Sequence, residues 1–258
     1  MAELETQQLT TRSRRELEAE IHAILGELTS FLVHLDPIRQ PTSLFDPSNP
    51  KVVGRFIALA LVAQQRQPLA EIKSHRFYGS GVYAIYYTGR FPDYAPLSGT
   101  ETPIYVGQAA PAINNARTAS EQGDRLSRRL DDHRSNIARA TSTLDIADFE
   151  YRALVVQSGW ETAAEDYLIH LFQPVWNNQT NVLFGIGKHG DSAGTRANRR
   201  SPWDTMHPGR SWASDERLID AKTLGQIRED LADHFTLHAV FPDMTSILEN
   251  FIDELRQI

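Results

Sequence analysis

Two short segments rich in aromatic and β-branched residues constrain the fold of this chain most. Residues 81–87 (GVYAIYY) and 103–106 (PIYV) have the composition of strands and are bounded by glycine or proline. The segments after them predict a helix, a third strand and a second helix, at residues 124–139, 148–157 and 160–173. The chain should therefore run in the order strand, strand, helix, strand, helix.

The segments on either side of this region are predicted to be mostly helical, at residues 13–35, 51–66, 221–234 and 244–256. Residues 183–212 contain five glycines and two prolines without periodicity, so we expect a long loop there. We expect a single domain overall. Residues 1–76 should form a helical extension and residues 77–182 the core. Residues 183–258 should form a loop and C-terminal helices packed on the core.

Composition excludes several classes of protein. The 258 residues include no cysteine, so disulfides, thiolate metal sites and a cysteine nucleophile are all excluded. No run approaches the roughly 18 apolar residues that a membrane span needs, and the N-terminus is polar where a signal peptide is apolar. We expect a soluble cytoplasmic protein with no membrane partner.

The net charge of −7 argues at first against a nucleic-acid partner. The distribution of charge reverses that impression. Residues 1–36 carry −4 and residues 213–258 carry −6, whereas residues 185–212 carry +3 and two histidines in addition. The acidity lies in the end segments, and the predicted loop is basic.

The predicted helix over 124–139 carries an arginine and a histidine beside its apolar stripe. Leu126, Leu130 and Ile137 form the stripe, and Arg129 and His133 lie along one edge of it. Residues four apart on a helix touch. The pair could therefore face the rim of the core, and an ordinary solvated face is the alternative.

The helix over 160–173 has two acids within its apolar arc. Ser158 and Glu161 have the spacing of a capping box, which accounts for Glu161. Glu165 has no such explanation, and a carboxylate on an apolar face is unfavourable unless it is paired or binds a cation. An ion pair with Arg129 and a metal site both remain open.

Five elements follow one another between residues 81 and 177. They are Gly81-Val82-Tyr83, Tyr105-Val106-Gly107, the pair Arg129-x-x-x-His133, Glu165, and Asn177 after Pro174-Val175-Trp176. Their order resembles that of the GIY-YIG nuclease superfamily. The Arg-His spacing, the LFQPVWN ending and the downstream SPWDTMHPGRSWA segment are most similar to its type II restriction endonuclease branch.

The resemblance implies an α+β fold, in which helices flank a small central antiparallel β-sheet and further helices extend both ends. It also implies that Tyr83 is the general base of phosphodiester hydrolysis. A tyrosine titrates near ~10, so Tyr83 would need cationic neighbours, which Arg129, His133 and a metal could supply. His133 would relay the proton. For Tyr83 and Tyr105, aromatic packing in the core is the alternative.

The resemblance implies further roles around the scissile phosphate. Arg129 would contact it, and Tyr105 would orient it or the attacking water. Glu165 would hold one divalent ion per active site, and a single carboxylate suits Mg²⁺. Asn177 would position a phosphate or order the site, or it is simply a polar turn residue.

One departure from the common family pattern is the distance between the two motif tyrosines. Tyr83 and Tyr105 are 22 positions apart. The two strands can pair if residues 88–103, the insertion between them, loop out. The insertion could then contact DNA or another subunit.

The basic loop over 185–212 is the predicted DNA contact, through Lys188, Arg196, Arg199, Arg200, His207 and Arg210. The alternative is a flexible basic loop anchored by its tryptophans. Arginine most often reads guanine, so we expect a short G·C-rich palindrome in double-stranded DNA. A palindrome is cut most simply by a homodimer. A restriction enzyme would also have a cognate DNA methyltransferase.

Two other functions compete with site-specific restriction. A repair or mobile-element nuclease of the same superfamily would commonly carry a separate DNA-binding domain, and no zinc-finger spacing or helix-turn-helix is evident. A DNA-binding module that had lost catalysis would have no reason to keep the full set of Tyr83, Tyr105, Arg129, His133 and Glu165.

Overall fold

The computed structural model describes residues 10–35, 38, 44–187 and 199–256. The chain divides into two compact units, residues 1–45 and 46–258. The first contains helix α1, Thr11–Leu35. Within the described residues, no helix combines the length and apolar character needed to cross a membrane.

A four-stranded antiparallel sheet forms the centre of the second unit. Its strands are β1 (Gln67–Pro68), β2 (Gly81–Tyr87), β3 (Tyr105–Ala109) and β4 (Phe149–Val155), in the spatial order β1-β4-β2-β3. All seven residues of β2 are buried. The predicted pairing of the two tyrosine strands and the α+β fold are confirmed.

Alternate residues of β2 face two separate cores, as the period of a strand requires. One core receives Tyr83, Ile85 and Tyr87, and helix α4 (Arg125–Ile137) packs there through Leu126, Leu130 and Ile137. The other core receives Val82, Ala84 and Tyr86, and it is closed by helices α2 (Pro50–Val62) and α5 (Glu161–Phe172). The sheet thus has helices on both faces.

The insertion between β2 and β3 folds back on the protein. Residues Pro92–Leu97 form a 3-10 helix in which Tyr94 and Leu97 are buried. The Trp176 indole donates a hydrogen bond to the Tyr94 hydroxyl over 2.8 Å, and His207 also hydrogen-bonds that hydroxyl. The strands pair while the insertion packs on the protein, where its aromatic residues complete the core on the α4 side.

The segment predicted as a loop over 183–212 is more ordered than expected where it is described. Residues 199–214 contain strand β5 (Arg199–Arg200), helix α6 (Pro202–Met206) and a 3-10 helix at Ser211–Ser214. Ser201 caps α6, and Trp203 is fully buried. Periodicity could not reveal these elements, because each is shorter than two helical turns.

The remaining elements complete the second unit. They are the short helix α3 (Ala119–Gln122), strand β6 (Ile219–Asp220), which pairs in parallel with β5, and helices α7 (Leu224–Leu237) and α8 (Met244–Leu255). Three further 3-10 helices span Leu69–Glu71, Ile146–Asp148 and Asn178–Thr180.

Candidate active site

Strand β2 and helix α4 bring Tyr83 and His133 into direct contact. The Tyr83 hydroxyl lies 2.8 Å from His133 Nε2, and both side chains are buried. Tyr105, on β3, packs against the same pair, with its ring centroid 4.6 Å from that of His133 and 6.1 Å from that of Tyr83. Three predicted site residues from three separate elements therefore form one cluster.

Gly107 makes room for this cluster. It lies opposite Tyr83 in the β2–β3 pairing. A Cβ atom at position 107 would lie 2.5 Å from Tyr83 Oη and 2.7 Å from Tyr83 Cζ. The glycine of the Tyr-Val-Gly motif is therefore required for packing, since any side chain would displace the Tyr83 phenol.

Burial raises the pKa of Tyr83 well above its usual value, and the neighbouring Tyr105 raises it further, while the charge of Arg129 opposes this shift. The phenol is thus protonated at neutral pH, and the tautomer of His133 decides which of the two groups donates in their hydrogen bond. Burial likewise raises the pKa of Tyr105, again opposed by Arg129.

Arg129 and Glu165 line one polar cleft of about 230 Å³. The residues around it are Tyr105, Arg129, Glu165, Trp176, Asn177, Asn178, Gln179, Gly185, Ile186 and Gly187. Arg129 comes from α4 and Glu165 from α5, so helices on opposite faces of the sheet meet at this cleft.

Glu165 is partly buried, and burial raises the pKa of its carboxyl group. Gln108, on β3, opposes this shift by hydrogen bonds to the carboxylate from both its side chain and its backbone, and Arg129 opposes it through its charge. Gln108 is therefore the residue that lowers the pKa of Glu165 most, and its side-chain amide also donates to the Thr162 hydroxyl over 3.2 Å. The sequence did not single out Gln108. Its position directly after the Tyr-Val-Gly motif was the available signal.

The donor set fits a hard divalent cation. Glu165 is the acidic residue among those that line the cleft, and the described residues contain no group of three or more His, Cys, Asp or Glu side chains placed to hold a metal. One carboxylate suits a cation that keeps most of its waters and takes other oxygens from a bound phosphate.

Asn177 is buried and holds strand β3. Its Oδ1 accepts a hydrogen bond from the Val106 amide over 3.0 Å, and its Nδ2 donates to the Val106 carbonyl over 2.9 Å. Both halves of the amide are engaged with the backbone next to Tyr105. This geometry favours an ordering role for Asn177 over contact with a phosphate.

Glu161 is buried as expected but is not part of the predicted capping box. Its carboxylate accepts hydrogen bonds from the Ser80 hydroxyl over 3.1 Å and from the Gly159 amide over 2.7 Å. The Ser158 hydroxyl donates instead to the Ala116 carbonyl. Helix α5 begins at Glu161 with Trp160 at its N-cap, two residues later than a cap at Ser158 would require.

The six predicted DNA contacts differ in their surroundings. Arg199 is exposed, whereas Lys188 and Arg196 lie outside the described residues. Arg200 is held in an ion pair with Asp220 at 2.7 Å. His207 and Arg210 are buried. We therefore do not propose Arg200, His207 or Arg210 as DNA contacts, because their polar groups form hydrogen bonds or ion pairs within the protein.

The fold and this cleft together define a class of protein. Two paired strands carry the tyrosines, and an arginine, a histidine and a glutamate from the flanking helices gather beside them, which is the arrangement of a GIY-YIG nuclease domain. The family model described as the Eco29kI GIY-YIG domain, a restriction endonuclease family, matches residues 75–235. The chain belongs to this family. A comparison with curated protein sequences finds no match.

Proposed function

We propose that this protein is a Mg²⁺-dependent type II restriction endonuclease that cuts double-stranded DNA at a short palindromic, G·C-rich site. The observation that carries this proposal is the 2.8 Å contact between Tyr83 and His133 beside a cleft that also contains Arg129 and Glu165. Phosphodiester hydrolysis needs a base, a positive charge at the phosphate and help for the leaving oxygen, and this set contains a residue for each task.

Tyr83 and His133 act together as the base. The raised pKa of Tyr83 means that the resting phenol is neutral. With His133 in the tautomer that accepts at Nε2, Tyr83 takes a proton from the attacking water as its own proton passes to His133 Nε2 along their hydrogen bond. The chemistry of general acid–base catalysis contributes about 10²–10⁴-fold to a rate, and the buried position of both residues keeps the proton from bulk water.

Arg129 and Tyr105 bind and orient the scissile phosphate, and Asn177 orders the site through its two bonds to Val106. A divalent ion held by Glu165 would neutralise the charge that develops on the phosphate and on the leaving oxygen. Gln108 and Arg129 both favour the ionised carboxylate, which is the form that binds a cation.

DNA contacts come from Arg199 and from Lys188 and Arg196, and two copies of the chain cut the two strands of a palindrome. A cognate methyltransferase would protect the same site in the host. The basic charge of residues 185–212 and the preference of arginine for guanine support this part of the proposal.

The test is to incubate the protein with a large unmethylated DNA of known sequence, with Mg²⁺ or with EDTA. Discrete fragments that appear only with Mg²⁺ would support the proposal. Nicks, or cuts that depend on DNA structure, would favour a repair or mobile-element nuclease. Tight binding without cleavage would refute both enzymatic functions.

A further inference from the structure

Three consecutive residues form a backbone wall of the candidate active-site cleft. Gly185, Ile186 and Gly187 all line the same cleft as Arg129 and Glu165. Gly185 and Ile186 are buried, whereas Gly187 is exposed. This wall is the last described part of the chain before residues 188–198.

The wall is held in place by a buried arginine. The Arg210 guanidinium donates to the Gly185 carbonyl over 2.9 Å and to the Ile186 carbonyl over 3.1 Å. The same guanidinium is fixed by Asp204, which accepts from Arg210 Nε and Nη2, each over 2.6 Å. A bidentate arginine–carboxylate pair fixes the plane of the guanidinium, so Arg210 presents its remaining donors to the wall in one orientation.

A second side chain ties the wall to the catalytic helix. Asn136, on α4, is buried and donates from Nδ2 to the Ile186 carbonyl over 3.0 Å. Arg129 and His133 lie on the same helix. One carbonyl therefore receives hydrogen bonds from both Arg210 and Asn136, which fixes the wall relative to the residues that would act on the phosphate.

The two glycines of the wall have different reasons to be glycine. Gly185 has a φ of +113°, and a Cβ there would lie 2.4 Å from the Ser201 side chain, so the protein itself requires this glycine. A Cβ at Gly187 would meet no atom of residues 10–35, 38, 44–187 or 199–256 within 4 Å. Gly187 lies on the rim of a cleft whose substrate is proposed to be a polymer. Glycine is the usual residue where a ligand must approach the backbone closely.

We propose that the Gly185–Gly187 wall is a DNA-contacting surface, that the sugar-phosphate backbone of the cut strand approaches it at Gly187, and that Arg210 is the positioning residue for this wall. The proposal rests on the proposed DNA cleavage. It assigns to Arg210 an indirect role through the wall in place of direct contact with DNA.

The first test fills the open space. Gly187→Val is expected to leave the thermal midpoint unchanged, because a Cβ at this exposed position meets no atom of the described residues within 4 Å. It should weaken binding of a duplex that contains the mapped cleavage site by tenfold or more. Gly225→Ala is the matched control, since a Cβ at Gly225 also meets only open space, apart from the Thr223 hydroxyl at 4.0 Å, and lies on helix α7.

The second test changes the positioning residue. Arg210→Lys keeps the charge but removes the bidentate fork, and it should lower the single-turnover rate constant at saturating DNA by at least tenfold. Arg200→Lys is the control. Arg200 also donates to an aspartate, Asp220, and to a backbone carbonyl, that of Ala213. Within the described residues, its recorded hydrogen bonds go to Ala213, Asp215 and Asp220 and not to the wall.

Single-turnover kinetics distinguish positioning from loss of folding. A variant that is merely less stable has a smaller cleavage amplitude with an unchanged rate constant, whereas a displaced wall lowers the rate constant itself. If Arg210→Lys does not fold, Asn136→Ala removes a single hydrogen bond to the Ile186 carbonyl and should lower the rate constant several-fold.

The outcomes separate this inference from the proposed function. Wild-type protein that cuts no DNA would overturn both. If the wild-type protein cuts DNA, and Gly187→Val binds and cuts like Gly225→Ala, only the proposed DNA contact of the wall would be overturned. The positioning role alone would be overturned if Arg210→Lys, Arg200→Lys and wild type had equal rate constants. If Arg210→Lys does not fold, equal rate constants for Asn136→Ala and wild type would overturn it.

Discussion

The Tyr83 hydroxyl on strand β2 hydrogen-bonds His133 Nε2 on helix α4 over 2.8 Å, and both side chains are buried. Both side chains are more buried than their polarity alone would favour. A buried, hydrogen-bonded pair of titratable groups beside an arginine and a glutamate marks a candidate functional site.

Tyr83→Phe removes the hydroxyl without changing the ring that packs beside Gly107. We expect the cleavage rate to fall by about 100-fold or more, which is the usual contribution of a general base. The free energy of unfolding should fall by only about 1 kcal/mol, for one lost hydrogen bond. Cleavage assays and urea titration measure the two effects.

The control is Tyr86→Phe. Tyr86 is equally buried on the same strand but faces the core on the other side of the sheet. Cleavage at the wild-type rate by Tyr83→Phe, or an equal loss in both variants, would remove Tyr83 from the mechanism.

Glu165 should be required for cleavage and yet unfavourable for stability. Its pKa is raised by burial, so the folded state holds the proton more tightly than the unfolded state. Stability then falls as pH rises from the usual carboxyl value of 4.5 toward the raised value. Glu165→Gln should therefore be inactive but have a higher thermal midpoint than wild type at pH 7, with the difference vanishing at acidic pH.

Calorimetry of both proteins at several pH values measures this prediction. A lower thermal midpoint for Glu165→Gln at pH 7 would mean that the carboxylate is stabilised by partners in the fold. It would then be a structural residue rather than one held ready for a cation.

Asn177→Ala should destabilise the sheet, because it leaves the buried Val106 amide and carbonyl without their side-chain partners. We expect a loss of about 2 kcal/mol in the free energy of unfolding, from two hydrogen bonds of about 1 kcal/mol each. The neighbouring Asn178 is exposed, so Asn178→Ala is the control and should unfold like wild type. Equal urea midpoints for the two variants would contradict the ordering role.

His207 should make the protein sensitive to acid through stability rather than through DNA binding. Burial lowers its pKa to about 3, against 6.5 for a free histidine. The unfolded state therefore binds a proton at a higher pH than the folded state, and stability is lost as pH falls from about 6.5 toward 3. His207→Gln should flatten this pH dependence, and the exposed His170→Gln should not. Parallel slopes for all three proteins would refute the assignment.

Strands β2, β3 and β4 could be predicted from their aromatic and β-branched composition, and the long helices from their apolar period. Strand β1 was not predicted, because its two residues are too few to carry a pattern. The strands around Tyr83 and Tyr105 are aromatic and bounded by glycine, and helix α4 has a regular apolar stripe. The antiparallel pairing of the tyrosine strands followed from the family resemblance. The resemblance predicted one site made of Tyr83, Tyr105, Arg129, His133 and Glu165. The structure brings Tyr83, Tyr105 and His133 together. It places Arg129 and Glu165 on one cleft.

The parts that the sequence did not reveal depend on contacts between distant segments. Arg210 and His207 appeared to belong to a basic loop, since nothing local indicates that Asp204 and Tyr94 draw them into the interior. Gln108 and the Gly185–Gly187 wall have ordinary compositions, and their importance follows only from what they touch in the folded chain.

The most direct test of the central claim is to sequence both strands at every end that the wild-type protein produces from a large unmethylated DNA with Mg²⁺, with Glu165→Gln in parallel. We predict one short G·C-rich sequence at every cut, symmetric about its centre, and no cleavage by the variant. Ends without a common sequence would contradict site-specific cleavage, and wild-type cutting by Glu165→Gln would contradict the assigned site.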